Sequence, residues 1–267
     1  MPFSINTVHA LVLRYLYLYT RHPIRLVELV FWPLVDLLVW GFLTTYLQGH
    51  GAGGLPSSIS FLIGGMILWD VLFRSQQGVA ISFLEDVWTR NLLNVFVAPV
   101  RTAEYVGATC VVGLLRVGVT LILLTIVAAL AYQFKLTSLG LGLLPFLGNL
   151  ILFGWFLGMI STALIMRFGQ AAESLAWAVP FFIQPLAAVF YPVTALPNWL
   201  QPAAMALPCT PVFEGMRSVL SGQPVPWGNV QHALLLNLVW GTLAALFFAA
   251  NLRHVRKSGL LVKVATH

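Results

Sequence analysis

Six stretches of roughly 20 or more mostly apolar residues, at 27–48, 58–84, 104–132, 141–166, 171–193 and 230–252, constrain this chain more than anything else in it. The hydrocarbon core of a bilayer offers a bare peptide group no hydrogen-bond partner, so a segment that crosses it must satisfy its own backbone. Runs this long therefore read as membrane-spanning helices. The composition agrees: 59% of the residues are hydrophobic and 8% are charged, against about 25% charged in an average soluble domain. The expected fold is an all-α polytopic membrane protein, one membrane domain over 1–267 with no soluble one. Cys110, inside the third stretch, and Cys209, in the last long connection, have the spacing neither of a disulfide framework nor of a metal site.

Before the first stretch, residues 1–25 do not read as a secretory signal. Their apolar run carries Arg14, and Arg21, His22, Pro23 and Arg25 follow it with no small-residue cleavage site. Thr7, Arg14 and Arg21 are seven apart and share a helical face, while Tyr15, Tyr17 and Tyr19 are residues that favour an interface. An amphipathic helix lying on the membrane surface is expected, with a turn at His22-Pro23 into the first span. Lys and Arg set the orientation. With a cytosolic N-terminus, the inner segments hold Arg14, Arg21, Arg25, Arg90, Arg101, Arg167, Arg253, Arg256, Lys257 and Lys263, and the outer ones only Lys135 and Arg217. That asymmetry places both termini inside. The net charge of +6 is explained by anchoring against anionic lipid and needs no nucleic-acid partner.

The first long inner segment, FLEDVWTRNLLNVFVAPVR at 83–101, concentrates Glu85, Asp86, Arg90 and Arg101 between apolar runs. Its pattern predicts a short helix closed by Ala98-Pro99. Leu84, Val87, Trp88, Leu92 and Val95 share one side, and Asp86, Thr89, Arg90 and Leu93 the other. One side can rest on the bundle while the other offers charges and Leu93 as an apolar knob; a solvated connection is the plainer alternative. On the outer face, 49–57 reads as a glycine-rich turn. The connection at 194–229 is broken by Pro197, Pro202, Pro208 and Pro211 into short amphipathic pieces, the second being Val212–Leu220 with Glu214 and Arg217. Too short to cross and too apolar for water, these pieces fit a re-entrant or interfacial hairpin better than a plain loop.

Three motifs in this order, E-D-x-x-x-x-N-L-L-x-x-x-x-A-P (Glu85 to Pro99), F-Y-P-V-x-x-L-P-x-W-L-Q (Phe190 to Gln201) and P-C-T-P-x-x-E-x-x-R (Pro208 to Arg217), together with six spans and a surface helix, resemble the ABC type-2 exporter permeases. The resemblance runs over nearly the whole chain. It implies a permease of a bacterial-type inner (plasma) membrane that pairs with a second copy of itself and with two ATP-hydrolysing subunits. The exported substrate would be a polysaccharide, a lipid-linked glycan or a hydrophobic drug. It also implies that the helix within 85–98 is a coupling helix on the ATPase, using Glu85, Asp86, Arg90 and Leu93. Spans one and five would line the path, and the hairpin with Pro197, Trp199, Glu214 and Arg217 would form the outer gate. Where the family often places a small residue such as glycine before F-Y-P, this chain has Ala187 and Ala188.

The residues themselves support a permease that needs a separate motor, because the chain has no G-x-x-x-x-G-K-[ST] loop with which to cradle a nucleotide. ATP and its Mg would be held by the partner. Charges within spans are informative because each costs about 2.5–3.5 kcal/mol near the bilayer centre. Asp36, Arg74 and Arg116 lie roughly 15–18 Å from the inner boundary at about 1.5 Å per residue, and Asp70 is four residues from Arg74. A neutralised network of Asp36, Asp70, Arg74 and Arg116 is expected; a proton-coupled carrier using the same four is the alternative. Aromatic residues cluster on spans one and five. Phe31, Trp32, Trp40, Phe181 and Tyr191 are the candidates to face the path, against the ordinary role of lipid anchoring. Pro33, Pro180 and Pro185 loosen the same two helices.

Overall fold

In the computed structural model, which describes residues 3–21, 23–49 and 56–258, the chain forms a helical bundle. In chain order the helices are α1 (Ile5–Arg21), α2 (Pro23–Gly49), α3 (Pro56–Trp88), α4 (Leu92–Val97), α5 (Thr102–Tyr132), α6 (Leu143–Phe168), α7 (Glu173–Leu186), α8 (Gln201–Met205), α9 (Cys209–Leu220) and α10 (Trp227–Ser258). Short 3-10 turns at Leu136–Gly142, Gly169–Ala172 and Val193–Ala195 join some of them. Among the described residues, four stretches are long and apolar enough to cross a membrane: Ile24–Tyr46, Thr102–Tyr132, Leu136–Phe168 and Trp227–Ser258. The protein is thus an all-α, multi-pass membrane protein.

The other two expected spans look different. α3 is 33 residues long, about 50 Å at 1.5 Å per residue. It carries Asp70, Arg74, Ser75, Gln76 and Gln77 in its middle, all buried. That polar string is tolerated because α3 is sheathed by protein, with α5 and α6 on either side. Glycines bring those helices close. A Cβ on Gly154 of α6 would stand 2.6 Å from the Leu72 carbonyl oxygen, one on Gly158 2.8 Å from that of Gln76, and one on Gly78 2.2 Å from Gly113 Cα of α5. α7 fills only 14 residues of the expected 171–193. Pro180 and Pro185 remove two backbone donors, and Ala188 turns into the left-handed region at φ 53°.

Two apolar cores stack along the bundle. One gathers Ile67, Leu72, Phe146, Phe153 and Phe213, and the other Phe83, Leu84, Tyr105, Ile165 and Phe248. α1 lies across the start of α5, with Leu11, Val12 and Tyr15 on Ala108 and Val112. Outward faces of α2, α5 and α10 expose Phe42, Leu114, Ile122, Leu235 and Leu243, as a lipid-facing surface does.

The stretch 85–98 is not one helix. α3 runs on to Trp88, and a turn at 89–91 separates it from α4. The Asn91 N–H donates to the Asp86 carbonyl (2.9 Å) and the Arg90 N–H to that of Val87 (3.0 Å), the paired bonds of a Schellman stop. The helical wheel drawn through 83–101 therefore fails at Arg90, whose φ is 52°. In the connection at 194–229, α9 buries Cys209, Thr210, Val212, Phe213 and Met216, so it is tucked into the bundle. His22 of the expected turn, residues 50–55 of the glycine-rich connection, Lys263 and the Leu93 side chain lie outside the described residues.

Candidate functional site

At the α1 end of the bundle, the last turn of α3 presents Glu85 and Asp86 to α1, α2 and α5. Neither faces solution: Glu85 is 3% and Asp86 1% exposed. Asp86 is ion-paired with Arg14 and accepts hydrogen bonds from the Tyr15 hydroxyl at 2.7 Å and the Tyr105 hydroxyl at 2.8 Å. Glu85 accepts from the Tyr19 hydroxyl at 3.0 Å and has Arg25 at 3.4 Å and Arg116 at 3.5 Å. Tyr15 and Tyr19 are one helical turn apart on α1, so their hydroxyls reach two successive carboxylates. Both carboxylates lie beyond the apolar stretch ending at 84, and burial pushes both upward. Arg25 opposes this at Glu85, leaving it at about 7, and Arg14 opposes it at Asp86. Burial, reinforced by the Asp86 carboxylate, holds the Tyr15 hydroxyl protonated well above its ordinary range.

Glu104 adds a second tie. Its carboxylate accepts from the Ser4 N–H at 2.8 Å and from the Arg101 N–H at 2.9 Å, so one side chain secures the starts of α1 and α5. An inward-facing Glu85 and Asp86 differ from the sequence expectation of charges offered outward. A carboxylate this deep is costly unless charged partners meet it, and α1, α2 and α5 supply them. In the sequence Tyr15 and Tyr19 read only as interface-favouring residues and Arg25 only as an inner cation, and Tyr105 has no role there. The readable signal was the i, i+4 tyrosine pair on α1 ahead of an adjacent acidic pair.

Beyond these carboxylates the chain turns outward. Arg90 is exposed, and its guanidinium makes no hydrogen bond or ion pair with the described residues. A residue with a Cβ costs about 1–2 kcal/mol in the left-handed region, where the Schellman stop usually holds glycine. α4 follows, with Leu92 and Val95 buried against the bundle and Asn94 and Val97 exposed.

Next to this assembly, a cavity of about 770 Å3 opens between α2, α3 and α7. Its lining mixes charge, in Arg25, Glu28, Asp36, Arg74, Glu85 and Arg116, with Trp32, Phe73, Trp88, Trp177 and Phe181. A smaller apolar hollow of about 380 Å3 on α7, with Ser174 and Phe182, shares Trp177 and Phe181 with it. Of the five aromatic candidates, Trp32 and Phe181 line the cavity. Phe31 meets Trp32 edge-on (5.4 Å), Trp40 stacks on Phe190 (4.0 Å), and the Tyr191 hydroxyl donates to the Pro185 carbonyl. Among the described residues, direct ion pairs do not join all four of Asp36, Asp70, Arg74 and Arg116. Arg74 Nε donates to Asp70 at 3.1 Å and Arg74 also to Gln77 at 2.8 Å. Arg116 instead reaches Glu85 and lies 4.8 Å over the Tyr19 ring, while Asp36 lines the cavity.

Residues 7–221, which hold Glu85, Asp86, their side-chain partners and the cavity lining, match the model of a family described as ABC-2 type transporter. The chain belongs to the ABC-2 type transporter family. It is also 26% identical over 194 residues to the inner membrane transport permease YadH of Escherichia coli K12, covering 69% of this chain and 72% of that one. The proteins of the same name from Escherichia coli O157:H7 and Shigella flexneri match equally. Membership makes the chain a transporter's membrane subunit rather than an enzyme, and the family works in general with a partner ATPase subunit.

At the far end of this ABC-2 permease, the E-x-x-R pair of α9 ties down the end of α7. Arg217 pairs with Glu214 at 2.9 Å and donates to the Ala188 carbonyl at 2.8 Å, while Glu214 accepts from the Val193 N–H at 2.8 Å. Pro197 and Trp199 are exposed beside it, Trp199 at 76%. Glu214 and Arg217 therefore meet each other and the turn between the two F-Y-P alanines and Val193.

Proposed function

We propose that this chain is the membrane subunit of an ATP-driven exporter, working as two copies with two separate ATPase subunits. α3 and α7 complete six spans, both termini are cytosolic, and α1, the α3–α4 turn and α4 face the cytosol. The observation that carries this reading is Arg90: a strained, exposed cation with no side-chain partner among the described residues, projecting from the end of α3 where α1, α3 and α5 are locked together through Asp86. A push on that turn reaches three helices at once. The docking surface is then Arg90 with α4, including Leu93 of the described backbone, and Glu85 and Asp86 stand behind it as braces. An ion pair with the ATPase would set orientation and encounter rate more than affinity.

The cavity is the proposed start of the path. Its charged lining on α2 cannot rest against lipid tails at moderate cost, which supports a second copy facing it. A polar hollow joined to an aromatic shelf on α7 suits a substrate with a charged or glycan head and an apolar tail. The test is reconstitution in liposomes. The chain alone should move nothing; with its ATPase it should stimulate ATP hydrolysis, and Arg90→Glu should remove most of that stimulation. Unaided transport driven by a pH gradient and lost in Asp36→Asn would replace this reading with a proton-coupled carrier.

A further inference from the structure

α7 has a gap in its own hydrogen bonding. Pro180 has no N–H to give, so the Ala176 carbonyl four residues earlier receives no donor from its own helix. Within a membrane bundle such a carbonyl must find a donor on a neighbour. The donor is Gln76, from the middle of α3. Its Nε2 donates to the Ala176 carbonyl at 2.9 Å and also to Ser161 Oγ of α6 at 3.1 Å. Gln76 is fully buried, and its Oε1 has no partner among the described residues. Gly154 and Gly158 let α6 close on this point, since a Cβ on Gly154 would stand 3.1 Å from the Gln76 backbone nitrogen and one on Gly158 2.8 Å from its backbone carbonyl oxygen.

We infer that Gln76 is the positioning residue of the α7 bend: by taking up the carbonyl that Pro180 orphans, it holds the first half of α7 against α3. Trp177 follows Ala176 and Phe181 follows Pro180, so the same bond fixes the two α7 rings that line the cavity. Among the described residues the first half of α7 then has a second hydrogen bond to α3, the exposed one from Trp88 Nε1 to Glu173 at 3.2 Å. If α7 swings away, Gln76 keeps Ser161, so the amide still has a partner on either side of the movement. This inference rests on the proposed path only for its consequence in transport; the bend and its test stand without it.

The test is a double-mutant cycle on the full chain in lipid nanodiscs, read by amide hydrogen exchange over α7. Pro180→Ala gives Ala176 an internal donor and should make Gln76 dispensable. Gln76→Leu should speed exchange across 173–179 about tenfold and leave α9 and α10 unchanged. In the Pro180→Ala background the same substitution should change it by less than about twofold, since the lost bond has been replaced. Accumulation of Gln76→Leu only when Pro180→Ala is present supports the inference as well. Equal acceleration in both backgrounds, acceleration spread over α9 and α10, or failure of both Gln76→Leu chains to accumulate overturns it.

Discussion

Asp86→Ala isolates the joint between α1 and the rest of the bundle. Asp86 accepts from two buried tyrosine hydroxyls, Tyr15 and Tyr105, and pairs with Arg14. Each hydroxyl loses a charge-assisted bond of about 1.5–3 kcal/mol. The Arg14 side chain, 27% exposed, rehydrates and adds little. Relief of the carboxylate's own desolvation offsets part of the sum, leaving about 3 kcal/mol, at the lower end for breaking a buried pair. That loss falls on the docking of α1, so the helix should open about 100-fold more often. Trypsin cleavage at Arg14–Tyr15, followed by mass spectrometry in detergent, measures the opening directly. Tyr15→Phe, which removes one of the bonds, should raise the rate at least about tenfold, equivalent to about 1.5 kcal/mol. An unchanged rate at Arg14–Tyr15 in Asp86→Ala, or an equal rise at Arg253–His254 of α10, would refute the reasoning.

The other expectations concern packing and the far end. Ala188→Gly removes a left-handed residue that costs about 1–2 kcal/mol, set against about 0.4–1 kcal/mol of added chain entropy; thermal unfolding should rise by a degree or two. Arg217→Met unpairs Glu214 and frees the Ala188 carbonyl, and should lower the melting temperature by at least about 5 °C, near 2 kcal/mol for a chain this size. Gly154→Leu drives a side chain into the Leu72 carbonyl and should prevent accumulation in the membrane, whereas Gly148→Ala, with open space around it, should stabilise α6 by about 0.5–1 kcal/mol. Glu85, near 7 because of burial, binds its proton more tightly folded than unfolded. Its contribution is therefore fully present below the unfolded value and is lost as pH rises through about 7, so thermal unfolding of Glu85→Gln should be less sensitive to pH between 5 and 8.

How much of this was legible in the sequence follows from what kind of information each feature needs. The apolar runs that became α2, α5, α6 and α10 are long and apolar nearly all round, and one-dimensional reading finds such segments. α7 was overextended because a run of apolar residues does not reveal that Pro185 and the left-handed Ala188 end the helix early. The charges at 85–90 were noticed, but their direction was not, since a wheel assumes a continuous helix and Arg90 interrupts it. Depth alone groups Arg116 with Asp36 and Arg74; its long side chain crosses to Glu85 instead. Gln76 carried no signal by itself. Its meaning depends on Pro180 more than one hundred positions away, a relation that only tertiary structure brings into contact.

The central claim is that the turn at Arg90 and α4 is the cytosolic face on which the ATPase works. With Cys110 and Cys209 replaced by alanine, a cysteine at exposed Asn94 can be probed with a membrane-impermeant maleimide from each side of sealed vesicles. Labelling is expected from the cytosolic side only, slowed at least about tenfold once the ATPase subunit covers the site. Labelling from the opposite side, or a rate indifferent to the bound subunit, contradicts the account.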